Sequence, residues 1–591
     1  MARTEKTAEQ AGAQAQAGRA EESRTVIGRT GAEELTRALA ECQVDTIFGY
    51  PGGAALPIYD AMAKTGIRHV LVRHESAAAH AADGYARSTG QVGVCMATSG
   101  PGMTNLITGL LTAQMDGVPL VAITGQVPQT VLGTDAFQEA DTPILLQGAT
   151  KAVLRPKSAG EVRALVHYAV ALARSVPAGV VVLDLPKDVA QGRTSDAGGE
   201  GARLRRPRAS APLPDAAQVA GVWQALTQAR RPLVLVGHGA QSVPVLVRRL
   251  LGRLGVPSTS TLLGLGVIPS DFPGYLGMAG MHGTREANTA TLEADFLLVL
   301  GARLDDRVVG DPNRFLPKGE IAQVVGTAAH LGRSTQVARP IHAEVGAFLH
   351  ELLRYTVQVP TDLPWGGKPW IVGGEGHRTP RPVEVDEAEG LLADDLFSHI
   401  AERIPEDAYI VTDVGQHQMW AALYAKQRQA RHFITSGGLG TMGFGLPAAL
   451  GVQAAHPKAP VYLIVGDGGF LMSSNELATA VTEHLPVRII LADNRGLGMV
   501  RQWQELFYPS GAYQVSLGAV PDLLALTRAF GIEALEASTV RELDRALLRA
   551  GEVEGPIMIH AALDSREHVY PMIPPGQSAA EMLTAPPGAS A

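Results

Sequence analysis

The stretch Val461-Tyr462-Leu463-Ile464-Val465-Gly466-Asp467-Gly468-Gly469 decides how the chain folds. Its apolar first half is typical of a strand that is buried on both faces of a parallel sheet. A second apolar run, Val487-Arg488-Ile489-Ile490-Leu491, ends shortly before Asn494. Because open α/β sheets bind ligands at the carboxyl ends of their strands, we expect Asp467 and Asn494 to lie close together.

The residue types at these two strand ends point to a metal ion. A carboxylate and an amide oxygen suit a hard cation such as Mg²⁺, which usually completes its shell with water and substrate phosphates. Gly468 and Gly469 lead into a polar helix start, whose free N–H groups favour a diphosphate. A Gly-Asp-Gly sequence alone is more often a surface turn, so the second strand end at Asn494 is what favours a metal-bridged diphosphate site.

Length and composition narrow the class of protein. A chain of 591 residues is too long for one core and predicts about three or four domains. Hydrophobic residues make up 46% of the chain and charged residues 18%, which is a soluble globular mixture. The formal charge of −8 gives no electrostatic reason to expect binding to nucleic acid or to a membrane surface.

The two cysteines, Cys42 and Cys95, are too few for a disulfide framework or a metal cluster. A reducing compartment, the cytoplasm, is the simplest setting for them. Cys95 lies in an apolar run and is predicted to be a small buried residue. No run of eighteen apolar residues occurs, so no membrane span is expected.

Apolar strands alternate with helical patterns in three parts of the chain. This pattern predicts an α/β fold of three domains, each a mainly parallel sheet flanked by helices. The predicted domains are residues 26–190, 215–355 and 389–575, joined by linkers at 191–214 and 356–388. A disordered tail is predicted at 1–25 and a C-terminal tail at 576–591, whose last fifteen residues are expected to be disordered. No internal repeat is visible in the sequence.

Three parts of the chain allow other interpretations. Glutamates within residues 1–25 argue against an organelle transit peptide, which is poor in acidic residues. A nucleic-acid-binding arm is the alternative for the arginines at 203–208, but that run is short and isolated. In the second domain, strands lead into Gly237-His238-Gly239 and into residues 301–307, yet no G-x-G-x-x-G fingerprint follows either, so NAD binding has weak support.

Several longer motifs stand between residues 28 and 577. They are Phe48-Gly49-Tyr50-Pro51-Gly52-Gly53, Arg73-His74-Glu75, Ser99-Gly100-Pro101-Gly102, Thr134-Asp135-Ala136-Phe137-Gln138-Glu139, Gly280-Met281-His282-Gly283, Gly415-Gln416-His417-Gln418-Met419-Trp420 and Gln502-Trp503-Gln504. Together they resemble the thiamine-diphosphate-dependent enzymes, and more narrowly the catalytic large subunit of acetohydroxyacid synthase, also called acetolactate synthase. The resemblance implies a pyrimidine-binding, a central and a diphosphate-binding domain.

The resemblance assigns roles around the opening stretch. It implies that Asp467, Asn494 and the backbone oxygen of Gly496 hold Mg²⁺ against the diphosphate, which Gln416 and His417 would contact. Met442 would support the cofactor in a bent shape. Further cofactor-binding positions implied in the same way are Tyr50, Pro51, Gly52, Gly415, Gly440, Gly466, Gly468, Gly469 and Met499.

Glu75 would activate the cofactor by a hydrogen bond to its pyrimidine ring nitrogen. General acid–base assistance of this kind contributes roughly 10²–10⁴-fold to a rate. On the residues alone, a salt bridge with Arg73 or His74 is the favoured interpretation of Glu75, and only the resemblance reverses it. In the family this glutamate reaches a cofactor held by the other subunit, which implies a homodimer or a dimer of dimers. A small regulatory subunit is left open.

The resemblance also assigns substrate positions. Trp503 would pack on the alkyl group of the second 2-keto acid, and Arg307 would pair with its carboxylate. Gln138 and Lys187 would lie near the reacting centre. The predicted substrate pocket consists of Phe137, Met281, Val414, Met499 and Trp503. On the residues alone, the apolar members are core residues and Lys187 is a solvated loop lysine.

FAD without a net redox role is a further implication. The predicted contacts are Gly237, Met281, His282, Gly283, Thr284, Arg303, Asp305 and Arg307. Two departures from the family weaken this prediction: Pro177 occupies the place of an arginine that contacts FAD, and residues 324–328 replace an acidic segment. A third departure is Asp493, which replaces an asparagine and adds a negative charge beside Asn494.

The function predicted from the sequence is a carboligase. It would decarboxylate pyruvate and condense the two-carbon unit with pyruvate or 2-oxobutyrate, giving 2-acetolactate or 2-aceto-2-hydroxybutyrate for branched-chain amino acid biosynthesis. A related carboligase with another acceptor in a specialised pathway is the alternative. A non-catalytic homologue is disfavoured by Glu75, Asp467 and Asn494, and a nicotinamide dehydrogenase by the missing glycine fingerprint.

Overall fold

The computed structural model describes residues 28–194, 211–357, 359–360, 362–371, 391–518 and 520–585. The tail at 1–25 and the arginines at 203–208 lie outside the described residues, as does most of both predicted linkers. Cys95 is fully buried, as predicted, and neither cysteine forms a disulfide. Within the described ranges, every helix falls short of the length and apolar character needed to cross a bilayer.

Three six-stranded sheets, all with parallel pairing between their strands, form the framework and confirm the predicted α/β class. The strands of the first sheet are β1 Thr46–Gly49, β2 Arg68–Leu71, β3 Gly93–Ala97, β4 Leu120–Gln126, β5 Ala152–Leu154 and β6 Val180–Pro186. Those of the second are β7 Pro232–Val236, β8 Ser258–Ser260, β9 Tyr275–Met278, β10 Phe296–Leu300, β11 Glu320–Val325 and β12 Arg339–His342. Those of the third are β13 Tyr409–Thr412, β14 Phe433–Ile434, β15 Val461–Gly466, β16 Arg488–Asp493, β17 Glu533–Ala537 and β18 Ile557–Ala562.

Helices cover both faces of these sheets. In chain order they are α1 Gly31–Glu41, α2 Leu56–Met62, α3 Glu75–Thr89, α4 Pro101–Asp116, α5 Thr142–Leu145, α6 Ala159–Arg174, α7 Lys187–Gln191, α8 Ala216–Gln228, α9 Pro244–Leu254, α10 Arg285–Glu293, α11 Asp306–Val309, α12 Val345–Tyr355, α13 Ala393–Arg403, α14 Gln416–Tyr424, α15 Gly445–Ala455, α16 Asp467–Ser473, α17 Leu477–Thr482, α18 Gly498–Phe507, α19 Leu523–Ala529 and α20 Val540–Glu552.

The strand order reveals a repeat that the sequence does not show. The first sheet runs β2-β1-β3-β4-β6-β5 and the third runs β14-β13-β15-β16-β18-β17, which is the same winding. The second sheet runs β12-β11-β10-β7-β8-β9, the 3-2-1-4-5-6 order of dinucleotide-binding folds read from its other edge. Sequence inspection misses the repeat because side-chain identity can diverge while the apolar pattern of each strand, and hence the winding, is kept.

The first and third domains share one hydrophobic core. A single cluster of buried side chains runs from Phe48 on β1 to Met558 on β18. It passes between α3 and α15, whose backbones touch at two glycines: a Cβ at Gly84 would lie 2.2 Å from the Ala448 carbonyl oxygen, and one at Gly451 would lie 1.9 Å from that of Ala81. The central domain has clusters of its own, which include only residues between 219 and 371.

Parts of the predicted linker and tail are built into the fold. Trp365 and Trp370 donate their indole N–H groups to carbonyls of the central domain at 3.1 and 2.7 Å. The prediction that the last fifteen residues are disordered is wrong for those described. Met572 and Leu583 exchange two backbone hydrogen bonds, and the Gln577 carbonyl accepts from the Asp311 amide at 3.0 Å. These bonds tie the C-terminal segment to the central domain.

Gly84→Ala should destabilise the protein, because the new Cβ meets the Ala448 backbone and overpacking costs about 1–3 kcal/mol. The midpoint of thermal unfolding is expected to fall. Gly551→Ala is the matched control, since that helical glycine has open space around it and alanine should be neutral or favourable there. Equal midpoints for the two variants would contradict the backbone contact between α3 and α15.

Candidate active site

One cavity of about 1320 Å³ lies where the strand ends of the second and third sheets face each other. This volume exceeds the 300–1000 Å³ or so of an ordinary small-molecule pocket, so it has room for more than one ligand. The predicted residues that line it are Met281, His282, Arg303, Asp305, Arg307, Val414, Gly415, Gln416, His417, Gly440, Met442, Gly466, Asp467, Gly468, Gly469, Asn494, Gly496, Met499 and Trp503.

Asp467 stands where β15 ends and α16 begins, at the junction that the opening stretch predicts. Its Oδ1 accepts a hydrogen bond from the Gly468 amide at 2.9 Å, while Oδ2 is buried and has no hydrogen-bond partner. Burial, followed by the nearby charge of Asp493, raises the pKa of Asp467 to about 7. A buried carboxylate oxygen without a donor is costly, and a bound cation would offset that cost.

A chain of three amides fixes the orientation of Asn494. Its Nδ2 donates to Gln416 Oε1 at 3.0 Å, and Gln416 Nε2 donates to Gln502 Oε1, also at 3.0 Å. Gln502 Nε2 in turn donates to the Val569 carbonyl at 3.0 Å. Because the amide nitrogen of Asn494 is committed to Gln416, its Oδ1 is the atom that can serve a cation.

The ring of His417 presents an unused nitrogen to the same site. Cβ atoms at Gly415 and Gly466 would lie 2.7 and 2.9 Å from this ring, so only glycine fits at either position. Burial lowers the pKa of His417 to about 4, and its Nε2 is buried without a hydrogen-bond partner. A neutral, buried imidazole with a free nitrogen is suited to a hydrogen bond with a ligand oxygen.

Asp413 supports the site although it belongs to none of the sequence motifs. It is fully buried, and its carboxylate accepts from the amides of Gly443 at 3.0 Å and Gly445 at 2.7 Å. Burial raises the pKa of Asp413 to about 6. These bonds hold the loop that carries Met442. The available signal was its position after β13, which matches the position of Asp467 after β15.

Asp116, at the end of α4, joins the three domains and was also missed. Arg87 donates to its carboxylate at 2.8 Å, and the amides of Gly437 and Gly438 donate at 3.0 and 2.6 Å. The guanidinium of Arg303 in the central domain lies 3.9 Å away. A fully buried carboxylate thus serves partners from all three domains beside the cavity. No local pattern around Asp116 signals this role.

The charge that Asp493 adds beside Asn494 is matched inside the fold. His560 Nε2 lies 2.7 Å from Asp493 Oδ2, and the Arg495 amide donates to Asp493 Oδ1 at 2.8 Å. Burial acts to raise the pKa of Asp493, but these hydrogen bonds hold it below its ordinary value. The departure from the family at this position is therefore accommodated locally.

The predicted acceptor-binding residues lie together. The Arg307 guanidinium carbon lies 5.5 Å from the centre of the Trp503 ring, within reach of a cation–π contact. Arg307 Nη1 also lies 3.3 Å from Met281 Sδ. Trp503 Nε1 is buried without a partner. This arrangement places a cation and an aromatic surface on one wall of the cavity.

The predicted flavin positions divide into two groups. Five of them, Met281, His282, Arg303, Asp305 and Arg307, line the cavity, whereas Gly237, Gly283 and Thr284 do not. The Thr284 hydroxyl instead accepts from the Ala287 amide and caps α10. The strand order of the central sheet reverses between β7 and β10, and the segments that follow these strands line the cavity. Pro177 also lines it, beside the segment that contains Gly326.

A second group of predicted residues does not line this cavity. It comprises Tyr50, Pro51, Gly52, Glu75, Phe137, Gln138 and Lys187. Glu75 begins α3 and accepts from Asn105 Nδ2 at 3.0 Å, while Arg73 and His74 bond the Leu71 carbonyl and Ser76 instead of pairing with Glu75.

The surroundings of Glu75 have little room for side chains. A Cβ at Gly102 would lie 3.5 Å from Glu75 Oε1 and 2.8 Å from Thr98 Cγ2, and one at Gly52 would lie 2.5 Å from the same Thr98 atom. Phe137, another member of this second group, is 88% exposed. The described chain therefore carries two separate half-sites, one around Asp467 and one around Glu75.

Family models match all three domains. The N-terminal TPP binding domain of thiamine pyrophosphate enzymes matches residues 29–144, the central domain matches 219–352, and the C-terminal TPP binding domain matches 413–561. The acetolactate synthase isozyme 2 large subunit of Escherichia coli is 41% identical over 557 residues, covering 94% of this chain and 99% of that protein.

The chain belongs to the acetolactate synthase large-subunit family. The acetolactate synthase large subunits of Parasynechococcus marenigrum and Lactococcus lactis are 40% and 39% identical to it, each over 94% of this chain and over 91% and 96% of their own lengths. The resemblance drawn from the motifs is therefore confirmed, and the chain is an enzyme dependent on thiamine diphosphate, another name for thiamine pyrophosphate.

Asp116→Ala should destabilise this family member strongly. It leaves the buried Arg87 with Asp83 as its remaining acid partner and two loop amides unpaired, and breaking a buried ion pair costs about 3–5 kcal/mol. The midpoint of unfolding in urea should fall. Asp60→Ala removes an exposed pair with Lys64 and should change it little. Equal midpoints for Asp116→Ala and Asp60→Ala would contradict the role of Asp116 in joining the three domains.

Proposed function

We propose that this enzyme decarboxylates pyruvate and joins the two-carbon unit to a second 2-keto acid. Pyruvate as acceptor gives 2-acetolactate, and 2-oxobutyrate gives 2-aceto-2-hydroxybutyrate, at the entry to branched-chain amino acid biosynthesis. The observation that carries the proposal is that the diphosphate-end residues and the Arg307–Trp503 pair line one cavity. The names of the relatives, matched over nearly their whole lengths, agree with it.

Mg²⁺ would be held by Asp467, Asn494 and the backbone carbonyl of Gly496. The donor set is one carboxylate and two neutral oxygens, which suits Mg²⁺ when a diphosphate supplies further ligands. The unpartnered Oδ2 of Asp467 supports this assignment. The unpartnered Nε2 of His417 faces this site, and the charge of a bound diphosphate would favour a proton on Nε2, which would then donate to a diphosphate oxygen. Gln416 would keep Asn494 in its ligating orientation.

Thiamine diphosphate, when bound, supplies the electron sink that accepts the electrons released as carbon dioxide leaves. The chain's own residues would orient it and control its protonation. Met442, on the loop fixed by Asp413, would support the bent shape of the cofactor. Glu75 would hold a proton at the pyrimidine ring nitrogen, which makes the amino group on that ring available as a base.

A homodimer follows from the separation of the two half-sites. Glu75 does not line the cavity that contains Asp467, so we propose that each cavity receives Glu75 from a second copy of the chain. Phe137, Gln138 and Lys187 would enter the partner's cavity with it, which accounts for the exposure of Phe137. A dimer of dimers is the alternative assembly. Because the relatives are named large subunits, we also propose that a small regulatory subunit binds.

The second 2-keto acid would be recognised by charge and shape. Arg307 lines the cavity and its side chain is 57% exposed, so its guanidinium would be free to pair with the carboxylate. The Trp503 ring, together with Met281, Val414 and Met499, would contact the alkyl group.

FAD would occupy the part of the cavity next to the central sheet. Four observations support it: the strand order of the central sheet, the cavity volume, and the buried unpartnered atoms His282 Nδ1 and Asp305 Oδ1. Pro177 and Gly326 offer no charge to this ligand, so we propose that FAD is retained in a non-redox role through backbone and central-domain contacts.

The two unpaired cysteines are consistent with a cytoplasmic location.

Asp467→Ala should weaken Mg²⁺-dependent binding of thiamine diphosphate by about 100-fold or more, since loss of outer-shell partners alone typically costs about 10–100-fold. The measurement is a Mg²⁺ titration of cofactor-free protein at fixed thiamine diphosphate, followed by tryptophan fluorescence. Asp522→Ala, which removes a helix cap elsewhere in the third domain, is the control. An unchanged Mg²⁺ requirement in the first variant would remove Asp467 from the metal site.

Glu75→Gln should lower kcat for 2-acetolactate formation from pyruvate by about 10²–10⁴-fold and leave thiamine diphosphate bound. Glu161→Gln, at the start of helix α6, is the matched control and should behave like the parent enzyme. If the parent enzyme forms no 2-acetolactate but releases carbon dioxide from pyruvate with a different acceptor, the proposed acceptor is wrong. If no carbon dioxide is released, the catalytic proposal fails.

The purified enzyme should carry a flavin absorption band, and denaturation should release one FAD per chain into the filtrate. The physical reason is that the central sheet and its cavity are arranged for a dinucleotide despite Pro177. The measurement is the visible spectrum before and after denaturation. A colourless protein that forms 2-acetolactate at full rate without added FAD would contradict this prediction.

A further inference from the structure

Strand β2 lies at the edge of the first sheet and leads directly to Glu75. Its neighbour on one side is β1, so the N–H and C=O groups on its other side have no strand to pair with. Unpaired edge groups need other partners, because a buried backbone group without one is costly. The residues that supply those partners therefore control where the strand ends.

The third domain supplies these partners from the segment 476–483. Glu483 Oε1 accepts from the Leu71 amide at 3.2 Å, and Thr479 Oγ1 lies 3.3 Å from the Leu71 carbonyl oxygen. The guanidinium of Arg73 donates to Thr482 Oγ1 at 3.0 Å. Side chains of α17 thus take the place of a seventh strand along this edge.

Glu476 makes the contacts that lie nearest to Glu75. It is fully buried, and its two carboxylate oxygens accept from the Arg73 amide at 2.9 and 3.2 Å. Thr479 Oγ1 donates to it at 2.7 Å. Burial raises the pKa of Glu476, and the amide N–H groups of Arg73 and His74 act in the opposite direction. Hydrogen bonds from backbone amides to a carboxylate are among the stronger ones, so this contact is rigid.

The backbone held by Glu476 is the start of α3. His74 is the residue before the helix, its Nδ1 accepts from the Ser76 amide, and Glu75 is the first helical residue. Asn105 holds the far end of the Glu75 side chain. The direction in which Glu75 leaves the backbone is therefore set at Arg73 and His74, and Glu476 is the buried acceptor there.

Glu476 also lies on the same short segment of the chain as Asp467, the proposed metal ligand. Helix α16 begins at Asp467, and the short turn Ser474–Glu476 follows it directly. A segment of ten residues, Asp467 to Glu476, thus connects the half-site around Asp467 with the half-site around Glu75.

We propose that Glu476 is a positioning residue for Glu75: by holding the Arg73 amide, it sets the orientation of the glutamate that would activate the cofactor. This inference depends on the proposed role of Glu75. Glu476 acts on the reaction only through Glu75 and touches neither cofactor nor substrate.

The test compares Glu476→Gln with Glu483→Gln. Glutamine at 476 keeps the shape but turns one acceptor into an NH₂ group that opposes the backbone N–H donors. We expect kcat for 2-acetolactate to fall about 10–100-fold, since a misplacement of 1 Å can cost about 100-fold. The KM for pyruvate and the Kd for thiamine diphosphate with Mg²⁺ should stay within about threefold of the parent values. Glu483→Gln, on the same segment but at Leu71, should keep the parent kcat.

A second readout uses the cofactor-free protein. Amide hydrogen exchange in the peptide containing residues 73–76 should be faster in Glu476→Gln and unchanged in Glu483→Gln. A purely structural role for Glu476 would instead lower the unfolding midpoint and weaken cofactor binding, with the rate per bound cofactor unchanged. That outcome overturns the proposal.

Two further variants keep the test decisive. If Glu476→Gln does not fold, Thr479→Val removes one donor to Glu476 without changing the shape, and an unchanged kcat in that variant overturns the proposal. Glu75→Gln is measured in parallel. If it keeps the parent rate, the proposed function of Glu75 fails; if it loses rate while Glu476→Gln does not, only the role of Glu476 fails.

Discussion

The carboxylate of Asp116 is the point on which the arrangement of the domains depends. It is buried, it pairs with Arg87 of its own domain, it accepts from two amides of the third domain, and it faces Arg303 of the central domain. A buried charge of this kind is stable only while its partners surround it. The three domains must therefore adopt one relative position for the carboxylate to be satisfied, and the cavity between them takes its shape from that position.

The loop that carries Met442 is held in place by the same carboxylate. The segment that contains Gly437, Gly438 and Met442 is held by Asp116 at one end and by Asp413 at the other, with Thr441 bonded to Thr112 between them. Met442 therefore projects from a loop whose backbone has little freedom. Two acidic residues that the sequence analysis did not select thus prepare the surface on which the cofactor would lie.

The fold class was predictable because apolar runs of strand length alternate with helical patterns, and this periodicity survives in every domain. The approach of Asp467 to Asn494 was predictable for a local reason, since each follows a neighbouring parallel strand. Asp116 and Glu476 were not predictable in this way. Their partners lie 321 and 403 residues away in sequence, and a single sequence carries no periodic signal for contacts at that separation. The role of Glu75, and the expectation that it serves the cofactor of the other subunit, came from family motifs. In the structure Glu75 does not line the cavity that contains Asp467.

The identical strand order of the first and third sheets bears on how the protein evolved. Two domains that wind their strands identically and share one core are what duplication of a single ancestral unit would leave behind, with the differently wound central domain added between them. A protein made of one such unit would have needed both functions in every copy. Once two copies stood in one gene, each could lose half of the proposed chemistry: one would keep Glu75, and the other would keep Asp467 and Asn494.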